Sequence, residues 1–231
     1  MPDIYLTADT HFSQERTFKY SMRNMYFSSV EEMDRIMIEN WNSTVKPEDT
    51  VLHLGDFGNW DIVQYLNGHI ILLEGNYERD HKNGPLSEEN KSKFQSIEKE
   101  KYLRLPVRKE TVILVHEPHN VEEVPEEEKT DFYLFGHVHE KQKVKYNGLN
   151  VGVDVHNFAP VSWKTVEFYK EAISNIYDED CFENFKLSKE KEQESKEEHK
   201  KDYPKEKRPK EDKHKAHEDV IEEYVNVEDV D

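Results

Sequence analysis

Short apolar runs punctuate the first three quarters of the chain. They fall at 4–8 (IYLTA), 51–55 (VLHLG), 70–75 (IILLEG), 112–115 (VILV) and 132–136 (FYLFG). Each has strand length and β-branched or aromatic content, so each predicts a buried strand. Between the first two, Val30, Met33, Met37 and Trp41 recur at helical spacing. Ser28 with Glu31, or Ser29 with Glu32, offers a capping box for that helix, and Pro47 lies beyond its end. Further helices are predicted over 60–67, over 87–99 behind Ser87, and after Ser162. The segment KVKYNGLNVGVDV reads as a hairpin turning at Asn147-Gly148. Early alternation of strand and helix with a late hairpin predicts α/β with mixed sheets.

The pattern then stops. From 186 to 219 the apolar residues are Leu187, Tyr203 and Ala216, and Pro204 and Pro209 interrupt any long helix. Such a segment cannot bury enough surface to offset the entropy of ordering. The chain therefore divides into a domain over 1–180 and a charged, disordered tail over 181–231. The last stretch, DVIEEYVNVEDVD, regains six apolar residues among acids. It reads as a disordered end or, less often for such a segment, as a peptide that docks on a protein partner.

Charge narrows the ligand. The formal net charge is −18, yet the residues from 186 onward hold 12 Lys and Arg against 16 Asp and Glu, which leaves −14 on the body. An acidic body matches long duplex nucleic acid poorly, because that binding leans on Lys and Arg. A small phosphorylated ligand is the easier partner. The single cysteine, Cys181, fits a reducing compartment. Neither a membrane span nor a signal peptide is visible, so a cytoplasmic protein is expected.

The chemistry sits where the strands end. Asp9 and His11 follow the first run, Asp56 the second, Asn76 the third, His116 the fourth, and His137 and His139 the fifth. In open α/β sheets that edge is where ligand sites form. Gly55, Gly75 and Gly136 directly precede three of these residues. Taken singly, Asp-x-His, Gly-Asp and Gly-Asn are ordinary turns, and a lone histidine is usually packed. Five strand ends delivering metal-capable side chains in order is a different matter. The set holds two carboxylates, one amide and four imidazoles, with no thiolate, so it is not a structural zinc site. Imidazole with carboxylate suits Mn, Fe, Zn or Ni. Seven ligands are too many for one ion that keeps an open position, whereas two ions sharing a carboxylate use them well.

With Asp9-Thr10-His11, Gly55-Asp56, Gly75-Asn76, His116 and Gly136-His137-Val138-His139 in place, residues 3–170 resemble the calcineurin-like metallophosphoesterases, particularly the small bacterial and phage-type members. The stretches FSSVEEMD, VLHLGDF and NVGVDV add to the likeness. The resemblance implies a two-sheet α/β/β/α sandwich and two divalent cations, with Mn the first expectation and Fe, Zn, Ni or Mg as alternatives. Asp9, His11 and His139 would hold one cation, Asn76, His116 and His137 the other, and Asp56 would bridge them. A hydroxide between the metals would then attack phosphorus in line with the leaving oxygen.

Two positions depart from the family pattern. Gly75-Asn76-Tyr77-Glu78 has tyrosine where the family has the histidine taken as proton donor. Tyrosine titrates near 10, so it is a poor acid at neutral pH. A preference for good leaving groups, or low activity, follows. His119 and His81 are the nearest substitutes, although solvated loop histidines are the commoner case. Ser13-Gln14 stands where close relatives have Gly-His. Arg23 and Arg79 are candidate phosphate contacts or, more commonly, surface residues. His53 reads as packed or as orienting a ligand, His69 as the start of a strand, and His156 as lining the cleft or capping a turn. Three functions compete: hydrolysis of a small nucleotide-like monoester or diester, a nuclease of the same chemistry, and a catalytically weak, metal-bound interaction module.

Overall fold

The computed structural model describes residues 2–107 and 110–176. Strand β1 (Ile4–Thr7) leads through helix α1 (Glu15–Tyr20) to α2 (Val30–Thr44), β2 (Thr50–His53) and β3 (His69–Leu73). Two single-turn helices follow, α3 (Asn76–Arg79) and α4 (Glu88–Lys91). The strands β4 (Ser96–Glu98), β5 (Tyr102–Val107), β6 (Glu110–Val115) and β7 (Tyr133–Phe135) come next. The hairpin β8 (Val144–Lys145) and β9 (Gly148–Asn150), then β10 (Val161–Ser162) and α5 (Trp163–Ile176), complete the fold.

The strands form two five-stranded sheets, ordered β10-β1-β2-β3-β4 and β5-β6-β7-β9-β8. Both are mixed, as the pattern predicts: β1 to β4 run parallel with β10 antiparallel at the edge, and β6, β7 and β9 run parallel between antiparallel edges. Period-two alternation assigns each side chain to a layer. Leu6, Leu52, Leu54, Ile71 and Leu73 from one sheet meet Leu103, Leu105, Leu114, Leu134 and Leu149 from the other. The intervening Val51, Ile70 and Leu72 face outward onto Met33, Met37 and Trp41 of α2. Truncating a residue of either layer to alanine would cost about 2–5 kcal/mol. Ile113, Val115, Tyr133 and Phe135 face outward from the second sheet under Val124. A 3₁₀ turn over Pro118–Glu123 runs along that face, so this outer layer is thinner than the one α2 provides.

Ser29 is the N-cap of α2, accepting the Glu32 N–H at 3.2 Å. The Glu32 carboxylate returns to the Ser28 N–H at 2.6 Å, one residue earlier than in a reciprocal box. After Ser162, whose hydroxyl accepts the Thr165 N–H, α5 packs Val166 and Ile173 onto the inter-sheet core.

Three expectations need correction. The helix predicted over 87–99 is one turn, Glu88–Lys91, because Ser96–Glu98 pairs in parallel with Ile71–Leu73. The hairpin turns at Tyr146-Asn147, since Lys145 is already opposite Gly148. Gly148 serves close approach instead: a Cβ there would lie 2.9 Å from the Tyr133 carbonyl oxygen. The helix over 60–67 is a 3₁₀ segment, Trp60–Tyr65. Strand β5 carries Pro106, which its edge position tolerates. No helix among the described residues is long and apolar enough to cross a membrane. The expected tail, and the boundary drawn at 180, lie outside the described residues.

Candidate metal centre

The carboxyl ends of β1, β2, β3, β6 and β7 all open on one site, with strands from both sheets contributing. The chain turns sharply to present each side chain. Asp9 (φ 57°), His11 (47°), Asp56 (58°), His137 (72°) and His139 (51°) all adopt the left-handed conformation. That conformation is sparse for residues other than glycine and costs on the order of 1–3 kcal/mol each. Glycines let the strand ends close in. A Cβ on Gly75 would sit 2.3 Å from Asp56 Oδ1, and one on Gly136 would sit 2.7 Å from Asp9 Oδ2.

Two ligand groups result. Asp9, His11 and His139 offer donor atoms all within 4.8 Å of one another, and Asp56, His116 and His137 do the same. Asp56 faces both groups: its Oδ2 lies 3.3 Å from His11 Nε2, and its Oδ1 lies 3.4 Å from His116 Nε2. Asn76 Oδ1 is 3.0 Å from His116 Nε2 and 3.1 Å from His137 Nδ1. The seven residues named from the sequence are thus brought together.

Hydrogen bonds fix which nitrogen three of the four imidazoles present. Nδ1–H of His116 donates to the Leu54 carbonyl at 2.6 Å, that of His11 to Gln14 Oε1 at 2.7 Å, and that of His139 to Asp154 Oδ2 at 2.7 Å. Each therefore turns the Nε2 lone pair inward, as metal-binding histidines do. His11 Nε2 is buried with no hydrogen-bond partner. His116 Nε2 points its lone pair at an amide oxygen and a carboxylate oxygen, three acceptors around one point. A cation satisfies all of them, so the residues fit a divalent metal pair.

Without a cation, a proton takes that place. Burial pushes His116 down, but Asp56, with Asp9 behind it, lifts it to about 9. Burial likewise opposes the charge of Asp56, yet His116 and His11 hold the carboxyl well below its usual range. His139 is opposed by burial and raised by the Asp154 hydrogen bond and by Asp9. His137 is lowered by burial and by the charge of His116.

The residues that steady this set were mostly missed from the sequence. Glu78, buried beneath the site, accepts the backbone N–H groups of Asp56, Phe57 and Gly75, each at 2.8 Å. Gln14 holds His11 while donating to Asn83 at 2.7 Å. Asn150 donates to the carbonyls of His139 and Gln142 at 2.9 Å. Glu78 and Gln14 lie beside motif residues, a usable signal, and Asn150 opens the stretch NVGVDV that adds to the likeness. His53 accepts the Gly55 N–H on Nδ1 and donates from Nε2 to the Thr10 hydroxyl, which passes the bond to the Phe57 carbonyl. It is a packed residue that orients the turn, and burial pushes it to about 3.

Arg23 corrects its expectation outright. It is fully buried, pairs with both oxygens of Asp154, and donates to the Asp9 and Thr10 carbonyls, so it can meet no substrate. Arg79 is tied to the Glu74 carbonyl and to Glu117. His156 donates to the Asn150 carbonyl at 2.7 Å and so secures a turn. Exposed His69 begins β3. His81 is exposed beyond α3. The Tyr77 ring stands edge-on over His11 at 4.6 Å, and its N–H donates to Asp56 Oδ1. His119, its side chain 69% exposed and its Nε2 3.2 Å from Glu117, lines a cleft of about 610 Å³ that also contains His137.

Known proteins resemble the chain over most of the described residues. The model of the calcineurin-like phosphoesterase superfamily domain matches residues 3–157. An uncharacterized protein of Methanocaldococcus jannaschii is 30% identical over 177 residues, which span 70% of this chain and 88% of that protein. A protein of unknown function from Aquifex aeolicus shares the fold: its crystal structure superposes with a TM-score of 0.58 at 22% identity, over 73% of this chain and 100% of that one. A novel archaeal phosphodiesterase, 22% identical, overlaps 65% of this chain and 82% of its own at a TM-score of 0.39. Because the family match spans well over half its length, the chain belongs to the calcineurin-like phosphoesterase superfamily.

Proposed function

We propose that this protein is a two-metal phosphoesterase that hydrolyses monoesters or diesters of a small, nucleotide-like substrate. The observation that carries the reading is Asp56, which turns one carboxylate oxygen toward each ligand group. In this reading Asp9, His11 and His139 hold one cation, Asn76, His116 and His137 the other, and Asp56 both, with manganese the first choice for mixed oxygen and imidazole ligands. Such a pair supplies an activated water and neutralises charge on the phosphoryl oxygens.

The rest depends on the chain's own groups. Tyr77 projects over His11 and can donate a hydrogen bond, but a phenol is a weaker general acid than the imidazole it replaces. His119 is the exposed imidazole on the approach to His137 and is our candidate for a substitute acid. Good leaving groups are therefore the preferred substrates. The acidic body keeps long duplexes away. The cysteine count fits action in the cytoplasm, and the tail from 186 is our candidate for recruiting a protein partner.

Tyr77 also favours a second reading, a metal-bound interaction module with little turnover. Assays of p-nitrophenyl phosphate and bis(p-nitrophenyl) phosphate with added manganese separate the two. Turnover in the parent and its loss in Asp56→Asn supports the enzyme. Two manganese ions per chain with no turnover on either ester supports the module.

A further inference from the structure

The cleft beside His137 has a composition of its own. Pro118, Val121, Val138 and the Tyr133 ring give it apolar walls, and Lys145 brings a cation into it. The Lys145 ammonium lies over the rings of Phe135 and Tyr133, at 5.5 and 6.0 Å from their centroids. Lys145 makes no ion pair among the described residues. Lys19, Lys82, Lys101 and Lys129 each meet a carboxylate within 2.7 Å. A half-buried cation that rests on aromatic faces, with no ion pair among the described residues, is weakly compensated. Burial lowers its proton affinity.

We infer that this cleft seats the leaving group of the substrate, an apolar or aromatic body carrying a second anionic group, and that Lys145 reads that second charge. The inference rests on the phosphoesterase reading and narrows its substrate class. His137 places the scissile phosphoryl group at one part of the cleft, and the walls take the body of the leaving group. Glu122 and His119 line the same cleft. Glu122 disfavours an anion near itself, and Lys145 is the lining residue that favours one. The second group can be a carboxylate or a phosphate, since an ammonium reads either as a point charge.

Phosphonates test this without turnover, because their carbon–phosphorus bond is not hydrolysed. Titration calorimetry on the manganese-loaded full chain would compare phenylphosphonate with 3-carboxyphenylphosphonate and with 1,3-phenylenediphosphonate. The parent is expected to bind at least one doubly anionic probe about tenfold more tightly than phenylphosphonate, and the better probe names the second group. Lys145→Met should collapse that preference to within about twofold, and Lys145→Arg should keep it. Absence of the preference in the parent, its survival in Lys145→Met, or no binding of any probe would overturn the inference. The phosphoesterase reading fails separately, through absent manganese-dependent turnover of p-nitrophenyl phosphate.

Discussion

Arg23 and Asp154, 131 residues apart in the chain, form a bidentate ion pair at 2.7 and 2.8 Å, with side chains 0% and 2% exposed. The same carboxylate accepts the His139 Nδ1–H, and the same guanidinium holds the Asp9 carbonyl. One ion pair thus steadies two members of a ligand group. Burial raises the cost of the Asp154 charge, yet Arg23 and His139 keep its carboxyl well below the usual range.

Arg23→Met leaves that carboxylate buried without its guanidinium partner. Breaking such a pair typically costs about 3–5 kcal/mol. Urea unfolding should show a loss of that size in metal-free protein. Asp154→Asn removes the charge that fixes His139. Loss of such a partner commonly weakens metal binding about 10–100-fold. Metal analysis after dialysis against limiting manganese should then find fewer ions per chain than in the parent.

Gly75→Ala would place a methyl 2.3 Å from Asp56 Oδ1 and 2.6 Å from the Asp56 backbone nitrogen. The Asp56 carboxylate would have to move. Manganese stoichiometry and turnover should both fall while the far-ultraviolet circular dichroism is retained. A fully active Gly75→Ala protein would show that Asp56 does not need this position.

Tyr77→His installs a group that titrates near neutrality above His11. General acid catalysis is typically worth about 10²–10⁴-fold. Turnover of an alkyl phosphate ester should rise relative to that of p-nitrophenyl phosphate. An unchanged ratio of the two rates would mean that the missing acid does not limit the reaction.

Two histidines outside the ligand set, buried His53 and partly buried His156, predict acid sensitivity. Burial, with the charge of His116, pushes His53 to about 3, and burial pushes His156 to about 4. Both are neutral in the folded chain and take a proton near 6.5 once unfolded, so the unfolded state binds more protons below that pH. Their contribution is complete above about 6.5 and is lost as the pH falls toward 4 and then 3. Urea midpoints should drop across that window. His156→Gln should make the decline shallower.

Much of the site was legible because its ligands sit in register with the strands. Asp9, Asp56, Asn76, His116 and His137 each follow a short apolar run, and a run that ends in a metal-capable residue is visible without tertiary knowledge. Arg23 was misread for the opposite reason. Its partner lies 131 residues away, and only the folded packing of β1 against the segment after β9 makes the pair. The alternation of Leu103, Leu105 and Val107 in β5 was present but interrupted by Arg104 and Pro106, and it went unassigned. Ser96–Glu98 was read as helix because its three residues carry no strand period of their own; pairing with β3 decides their state.

Each ligand group draws on both sheets. Asp9 and His11 follow β1 of one sheet, while His139 follows β7 of the other; Asp56 follows β2, while His116 and His137 follow β6 and β7. A cation in either position would therefore act as a cross-link between the layers, much as a disulfide shortens the loops of an unfolded chain. Sliding or splaying of one layer on the other would require release of metal. The interface between the sheets would then inherit its rigidity from coordination as well as from leucine packing, and a chelator would loosen the sandwich from its rim inward.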